Sequence, residues 1–129
     1  MRSKITVVAP SSTANLGPGF DVFGLAVNAF YDEITLAKTK EKKVSIVTAD
    51  DIPTNPDKNT AGLVVKNMIK KFRIKDGIEI KIKKNVPAGY GMGSSAASAA
   101  AAAVAFDKLY NLKLDDNSLV EFAGIGEKA

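Results

Sequence analysis

From Val86 the chain runs Val-Pro-Ala-Gly-Tyr-Gly-Met-Gly-Ser-Ser and then continues to Tyr110 through a segment built almost wholly of alanine. Glycines at every second position, Gly89, Gly91 and Gly93, let the backbone turn its N–H groups inward past bare Cα atoms, and Ser94 and Ser95 then open a helix. A helix start offers several unpaired N–H donors and roughly half a positive charge, so the stretch reads as a cradle for an anion such as phosphate. Glycines alone would equally make a plain strand-to-helix turn with a serine cap. What this stretch fixes is the order of elements around it, a strand before and a helix after.

The spacing separates this cradle from the common nucleotide motifs. It lacks the Gly-Lys-Ser/Thr ending of a P-loop, and the dinucleotide pattern needs its third glycine one residue later. Pro-Ala-Gly-x-Gly-x-Gly-Ser-Ser-Ala-Ala instead resembles the phosphate-binding loop of the GHMP kinases, small-molecule kinases for galactose, homoserine, mevalonate and phosphomevalonate. The resemblance implies that ATP is held by Pro87, Ala88, Gly89, Tyr90, Gly91, Met92, Gly93, Ser94, Ser95, Ala96 and Ala97. Met92 stands where the family usually has Leu, a volume-conserving change.

The chain contains neither Cys nor His, so zinc sites, thiol nucleophiles and His-dependent triads are excluded within it. Ser-x-x-Lys is absent too, which makes Ser94 and Ser95 donors or ligands rather than nucleophiles. The apolar run before Pro10 is too brief for a signal sequence, and alanine is too weakly apolar to commit the long helix to a bilayer, so a cytoplasmic location without a membrane partner is expected. A net charge of +4, from 18 basic and 14 acidic residues, could favour anionic ligands or simply be solvated surface. Only two of the basic residues are arginines, Arg2 and Arg73, and aromatics expected to be exposed for stacking are lacking, which argues against an RNA-binding module and any nucleic-acid partner.

Alternating Ile5, Val7 and Ala9 predict a first strand. It runs into Pro10-Ser11-Ser12-Thr13-Ala14-Asn15-Leu16-Gly17-Pro18-Gly19-Phe20-Asp21, which has loop composition. That segment resembles the N-terminal signature of the homoserine kinases, Ala-Pro-x-x-x-Ala-Asn-Leu-Gly-x-Gly-Phe-Asp. The resemblance implies that Asp21 faces the ammonium of L-homoserine and that Asn15 sits near the hydroxyl to be phosphorylated. A buried ammonium needs such a carboxylate partner.

Tyr31 to Lys38 and Val44 to Thr48 read as a hairpin joined by Thr39-Lys40-Glu41-Lys42-Lys43, whose lysines fit a charged hairpin tip. Asn59 or Thr60 caps a helix from Ala61 to Phe72 with an apolar stripe at helical spacing. The Asp-Lys-Asn-x-Ala-Gly segment around Asn59 is similar to one that lines the adenine pocket in homoserine kinases, so capping and adenine contact can coexist there. From Gly77 a strand alternates Ile78, Ile80 and Ile82 with charged residues, one face buried and one wet. It brings Lys83 and Lys84 beside the cradle, as charge for the polyphosphate or as solvated lysines. The alanine helix should be a slender rod open to close approach on several sides and end at Asn111. A last helix begins at Asp115 or Asp116.

Periodicity by itself supports α+β. The resemblance implies more: an antiparallel-rich sheet with helices packed on one face, like the second domain of ribosomal protein S5. It also implies that residues 1–129 form the ATP-binding N-terminal domain of a kinase whose C-terminal domain is absent from this chain. Ser95 and Glu127 are the implied Mg²⁺ ligands, and the implied catalytic residues are Asn15, Ser95 and Glu127. The surface facing the missing domain, drawn from Phe122, Ile125 and the alanine helix, is expected to be exposed and to favour self-association, a homodimer being one such assembly.

Overall fold

A computed structural model describes the backbone of residues 3–10, 31–49, 52–84 and 94–126, and the side chains of 3–8, 32–49, 52–83 and 98–125. Four strands form one sheet: β1 (Lys4–Pro10), β2 (Tyr31–Thr39), β3 (Val44–Thr48) and β4 (Gly77–Lys84). Helices α1 (Thr60–Lys71), α2 (Ser94–Tyr110) and α3 (Asp116–Gly126) complete the described chain, with a single 3₁₀ turn at Pro56–Lys58 ahead of α1. The strand order is β1-β2-β4-β3, with β1–β2 and β2–β4 antiparallel and β3–β4 parallel.

Period-2 alternation decides which face of the sheet is covered. Ile5, Leu36, Ile80 and Ile46 form one row across all four strands, and Val7, Ile34 and Ile82 form the next. These residues are buried or half-buried beneath the helices, while Lys4, Thr6, Val8, Val47, Lys81 and Lys83 on the other face are exposed. All three helices thus lie on one side, as the α+β reading requires. The sheet is mixed rather than purely antiparallel.

One expected feature is corrected. β2 and β3 are not a hairpin, because β4 lies between them, antiparallel to one and parallel to the other. The 40–43 connection therefore bridges two strand spacings, about 9.6 Å, rather than one. Gly77 makes this possible: a Cβ there would overlap the Glu41 carbonyl oxygen of the connection passing above it. The crossing is pinned where Ile78 N–H donates to the Lys43 carbonyl at 3.1 Å and the Thr39 hydroxyl donates to the Glu41 carbonyl at 3.1 Å. A parallel β3–β4 pair needs a crossover element, and α1 supplies it.

Of the described alanines of α2 all but Ala100 are buried, so these side chains add little to the expected apolar face. Ala99, Ala101, Ala102, Ala103 and Ala105 are at most 1% exposed, since α2 packs on β1, β2, α1 and α3. Small side chains all round allow this close approach, as the slender-rod reading anticipates. Phe122 is half-buried against Phe72, with ring centroids 5.6 Å apart, and Ile125 is also half-buried. Among the described residues the large apolar side chains left most open are Val120, Val8 and Val47, on three separate elements.

Helix ends follow local chemistry. Asn111 follows α2 with φ 52°, a left-handed position that Asn tolerates. The Asp115 side chain accepts from Ser118 N–H at 2.8 Å and caps α3, and that bond holds its carboxyl below the usual range. Gly124 does not stop α3, which continues through Gly126.

Candidate functional site

The topology brings the predicted site segments to one end of the sheet. β1, β3 and β4 all finish at this end, called the upper end here, and β2 starts there: Pro10 pairs with Tyr31, Lys84 with Asp32 and Thr48 with Ile82. Residues 11–30, containing Asn15 and Asp21, therefore connect two strand ends on the upper side. In sequence, residues 85–93 join the end of β4 to the start of α2, and residues 49–59 join the end of β3 to α1. Both α1 and α2 begin at the upper end. Their N–H groups and the positive ends of their dipoles concentrate there, which is the electrostatic setting for an anion.

Asn59 is the one predicted site residue with a described side chain. Its Oδ1 accepts from Gly62 N–H at 3.1 Å and its Nδ2 donates to the Pro53 carbonyl at 2.8 Å, with the residue 5% exposed. Capping is therefore its first role, and the same amide ties the 3₁₀ region to α1. Gly62 belongs to this joint, because a Cβ there would meet the Pro56 carbonyl oxygen at 2.5 Å. The Asp-Lys-Asn-x-Ala-Gly segment is thus a compact corner whose glycine lets the 3₁₀ turn press on the helix start.

The backbone of Ser94, Ser95, Ala96 and Ala97 is helical, so the serines do open α2. Lys84 is the last residue of β4, in register with Asp32. The side chains of Lys84, Ser95, Ala96 and Ala97 lie outside the described set, as do Asn15, Asp21, Glu127 and the whole stretch from Pro87 to Gly93. Lys83 is exposed on the uncovered face of the sheet. Among the described residues no three Asp or Glu side chains gather as a metal site.

Two polar residues that the sequence reading did not single out are buried at the upper end. Asp32, at 0% exposure, accepts a hydrogen bond from the Ser98 hydroxyl at 2.8 Å through Oδ2. The signal was present in the pattern: Asp32, Ile34 and Leu36 share one parity of β2, so a carboxylate stands on the face that must be covered. A separate cavity of about 760 Å³ runs from Pro56 along α1 to Asp76, lined by Lys42, Lys43, Lys66 and Lys75. Lys43 pairs with Glu41 at 3.3 Å and Lys66 with Asp57, exposed pairs of small energetic weight. This cavity extends toward the opposite end of the sheet from the two helix starts.

Comparison with known proteins places this architecture in a family. Residues 59–129 match the model of the GHMP kinases N terminal domain. The chain belongs to the GHMP kinases through that domain. It is 48% identical over 126 residues to the homoserine kinase of Thermoplasma volcanium, an alignment covering 98% of this chain and 40% of that protein. With the homoserine kinase of Methanopyrus kandleri it shares 51% identity over 125 residues, 96% of this chain and 41% of the relative. A crystal structure of homoserine kinase from Cytophaga hutchinsonii superposes with TM-score 0.81 at 34% identity, over 98% of this chain and 42% of that one. The mevalonate kinase of Methanococcus jannaschii, at 21% identity and TM-score 0.67, shares the fold. The chain thus spans about 40% of the length of the curated relatives it matches.

Proposed function

We propose that this chain supplies the nucleotide-binding part of a kinase that transfers the γ-phosphoryl group of ATP to the side-chain hydroxyl of L-homoserine, giving O-phospho-L-homoserine on the route to threonine. The observation that carries the reading is the convergence of three segments and two helix starts on the upper end of the sheet. Similarity to several homoserine kinases over nearly the whole chain supports homoserine as the acceptor rather than a sugar or mevalonate.

Phosphoryl transfer depends mostly on positioning and charge neutralisation, so a chain without His or Cys is not handicapped. The 85–97 segment would cradle the phosphates, with Lys84 adding charge, and the corner at Asn59 would flank the adenine. Because both polar ends of the Asn59 side chain are already used within the fold, that contact falls to its remaining hydrogen-bonding capacity and to the backbone around it. Ser95 lies in the first turn of α2, and its hydroxyl with the Glu127 carboxylate makes a hard-oxygen donor set that fits Mg²⁺. When bound, the ion neutralises charge on the transferring phosphoryl group. Asp21 would pair with the substrate ammonium and Asn15 would orient the hydroxyl. A cytoplasmic location suits this chemistry, and no helix among the described residues is long and apolar enough to cross a membrane.

The test is a coupled assay of the full-length protein against homoserine, mevalonate and galactose, with Asp21→Asn beside the parent. Loss of a buried ammonium's partner costs about 3–5 kcal/mol, so homoserine turnover should fall by two orders of magnitude or more while the intrinsic ATPase stays near the parent's. Preference of the parent for another alcohol would reject homoserine as the acceptor, and an equal effect of Asp21→Asn on both activities, or none, would make Asp21 a structural turn residue.

A further inference from the structure

Asp32 takes no part in the chemistry above, yet it is a carboxylate with no solvent exposure at the upper end of the sheet. Ile34 and Leu36 follow it on the same face, so an aliphatic side chain would satisfy the local pattern. Taking a carboxylate out of water is unfavourable unless it is hydrogen-bonded, and Ser98 provides such a bond at 2.8 Å. Ser98 is the fifth residue of α2, about 6 Å along the axis from Ser94. The register partners of Asp32, Ala9 on β1 and Lys84 on β4, lie at the ends of the strands that lead into 11–30 and 85–93.

What makes this bond consequential is the helix it holds. The described apolar side chains of α2 from Ala99 to Ala105 that face the core are all alanine, a smooth surface that resists rotation or sliding weakly. Its large buried anchors, Phe106 and Leu109, sit in the C-terminal half. The first turns lack such an anchor among the described residues and rely on a directional contact. Negative charge is favourable near a helix start, so Asp32 is well matched to the Ser98 turn. The same charge would repel an arriving polyphosphate, which gives Asp32 no value as a direct ligand of an anion.

We propose that Asp32 is a positioning residue: through Ser98 it fixes the rotation and height of the first two turns of α2 on the sheet, and so aims the helix start at the phosphates. The inference rests on the reading of α2 as the phosphate-binding helix.

The test uses the full-length protein and three variants. Asp32→Ala and Ser98→Ala each remove the bond, whereas Asp32→Asn keeps an acceptor of the same shape without the charge. Both alanine variants should raise the KM for ATP at least tenfold with kcat changed less than threefold, and the double variant should be no worse than the weaker-binding single one. Asp32→Asn should return the KM to within threefold of the parent. Amide exchange should accelerate over 94–100 and stay at the parent rate over 101–110. A folded Asp32→Ala protein with parental KM and exchange would overturn the proposal, as would an Asp32→Asn protein as impaired as Asp32→Ala. If Asp32→Ala fails to fold, Ser98→Ala carries the test, alanine being the best helix former. Should the parent bind neither ATP nor tripolyphosphate, the phosphate-site reading fails, and the exchange pattern alone then decides whether Asp32 holds the helix start.

Discussion

The two ends of the sheet are made from the same strands and finished in opposite ways. At the lower end, where β2 stops and β4 begins, the chain is closed by side chains and a short connection. The Tyr110 hydroxyl donates to Asp76 Oδ2 at 3.0 Å, Lys38 Nζ stands 4.6 Å above the Tyr110 ring, and the Phe106 ring lies 4.9 Å away. Gly77 passes beneath the 40–43 connection. At the upper end two helices begin, a capping asparagine and a buried Asp–Ser pair fix the corners, and the predicted ligand-binding segments attach. The lower end therefore serves stability. The upper end gathers the positive ends of two helix dipoles, and a change at one end should leave the other's property nearly untouched.

The largest effect expected from this division is at Gly93. Gly93→Val would place a β-branched side chain in the path of the phosphates, so nucleotide affinity should fall by at least about 100-fold, equivalent to roughly 2.7 kcal/mol, with the unfolding midpoint little changed. Calorimetric titration beside a thermal melt checks it, and a folded variant with parental affinity would break the comparison at its upper end. Gly77→Ala is the counterpart below. Its Cβ collides with backbone, so the 40–43 connection must move at a cost of about 1–3 kcal/mol, while nucleotide affinity remains parental. Denaturant unfolding of the variant measures this.

Asn59 lies where the two properties meet. Asn59→Ala removes a cap and a buried donor and should cost about 1–2 kcal/mol, whereas Asn59→Asp keeps the acceptor for Gly62 N–H but sets a carboxylate oxygen against the Pro53 carbonyl in place of the donor. Greater stability of the aspartate variant would separate the cap from the tether. The smallest effect is at Tyr110, whose phenol is pushed well above its ordinary value by burial and then by the Asp76 carboxylate. The unfolded chain gives up this proton first as pH passes about 10, so the contribution is complete below that pH and is lost above it. Tyr110→Phe should flatten part of the alkaline fall in stability, read from melts between neutral pH and about pH 11.

Much of the fold was legible because its elements are marked by local chemistry. Ile78, Ile80 and Ile82 declared a half-buried strand, the α1 stripe declared its core face, and Asn59 and Asn111 stood at helix ends where their side chains or backbone freedom are useful. Strand order was not legible. Val44 and Ile46 continue the alternation of Ile34 and Leu36 across a short polar connection, and nothing in that pattern says that β4 goes between them, where the bare Cα of Gly77 leaves room for the connection at Glu41. The small side chains of the alanine helix state that neighbours can come close, as they do, without stating which ones. Of the site, the corner at Asn59 and the serine start of α2 were read directly from the sequence, whereas Asp32 and Ser98 were passed over, since a charged residue at a strand's beginning looks like a solvated one until its parity is counted.

The central claim, that the upper end holds the nucleotide, is tested most directly by titrating the isotope-labelled full-length protein with Mg·ATP and following backbone amides. Shifts should concentrate in residues 59–62 and 85–97, and inorganic tripolyphosphate should reproduce those in 85–97 alone. Shifts centred instead on Lys42, Lys43, Lys66 and Lys75, around the cavity that runs along α1 toward the lower end, would contradict it.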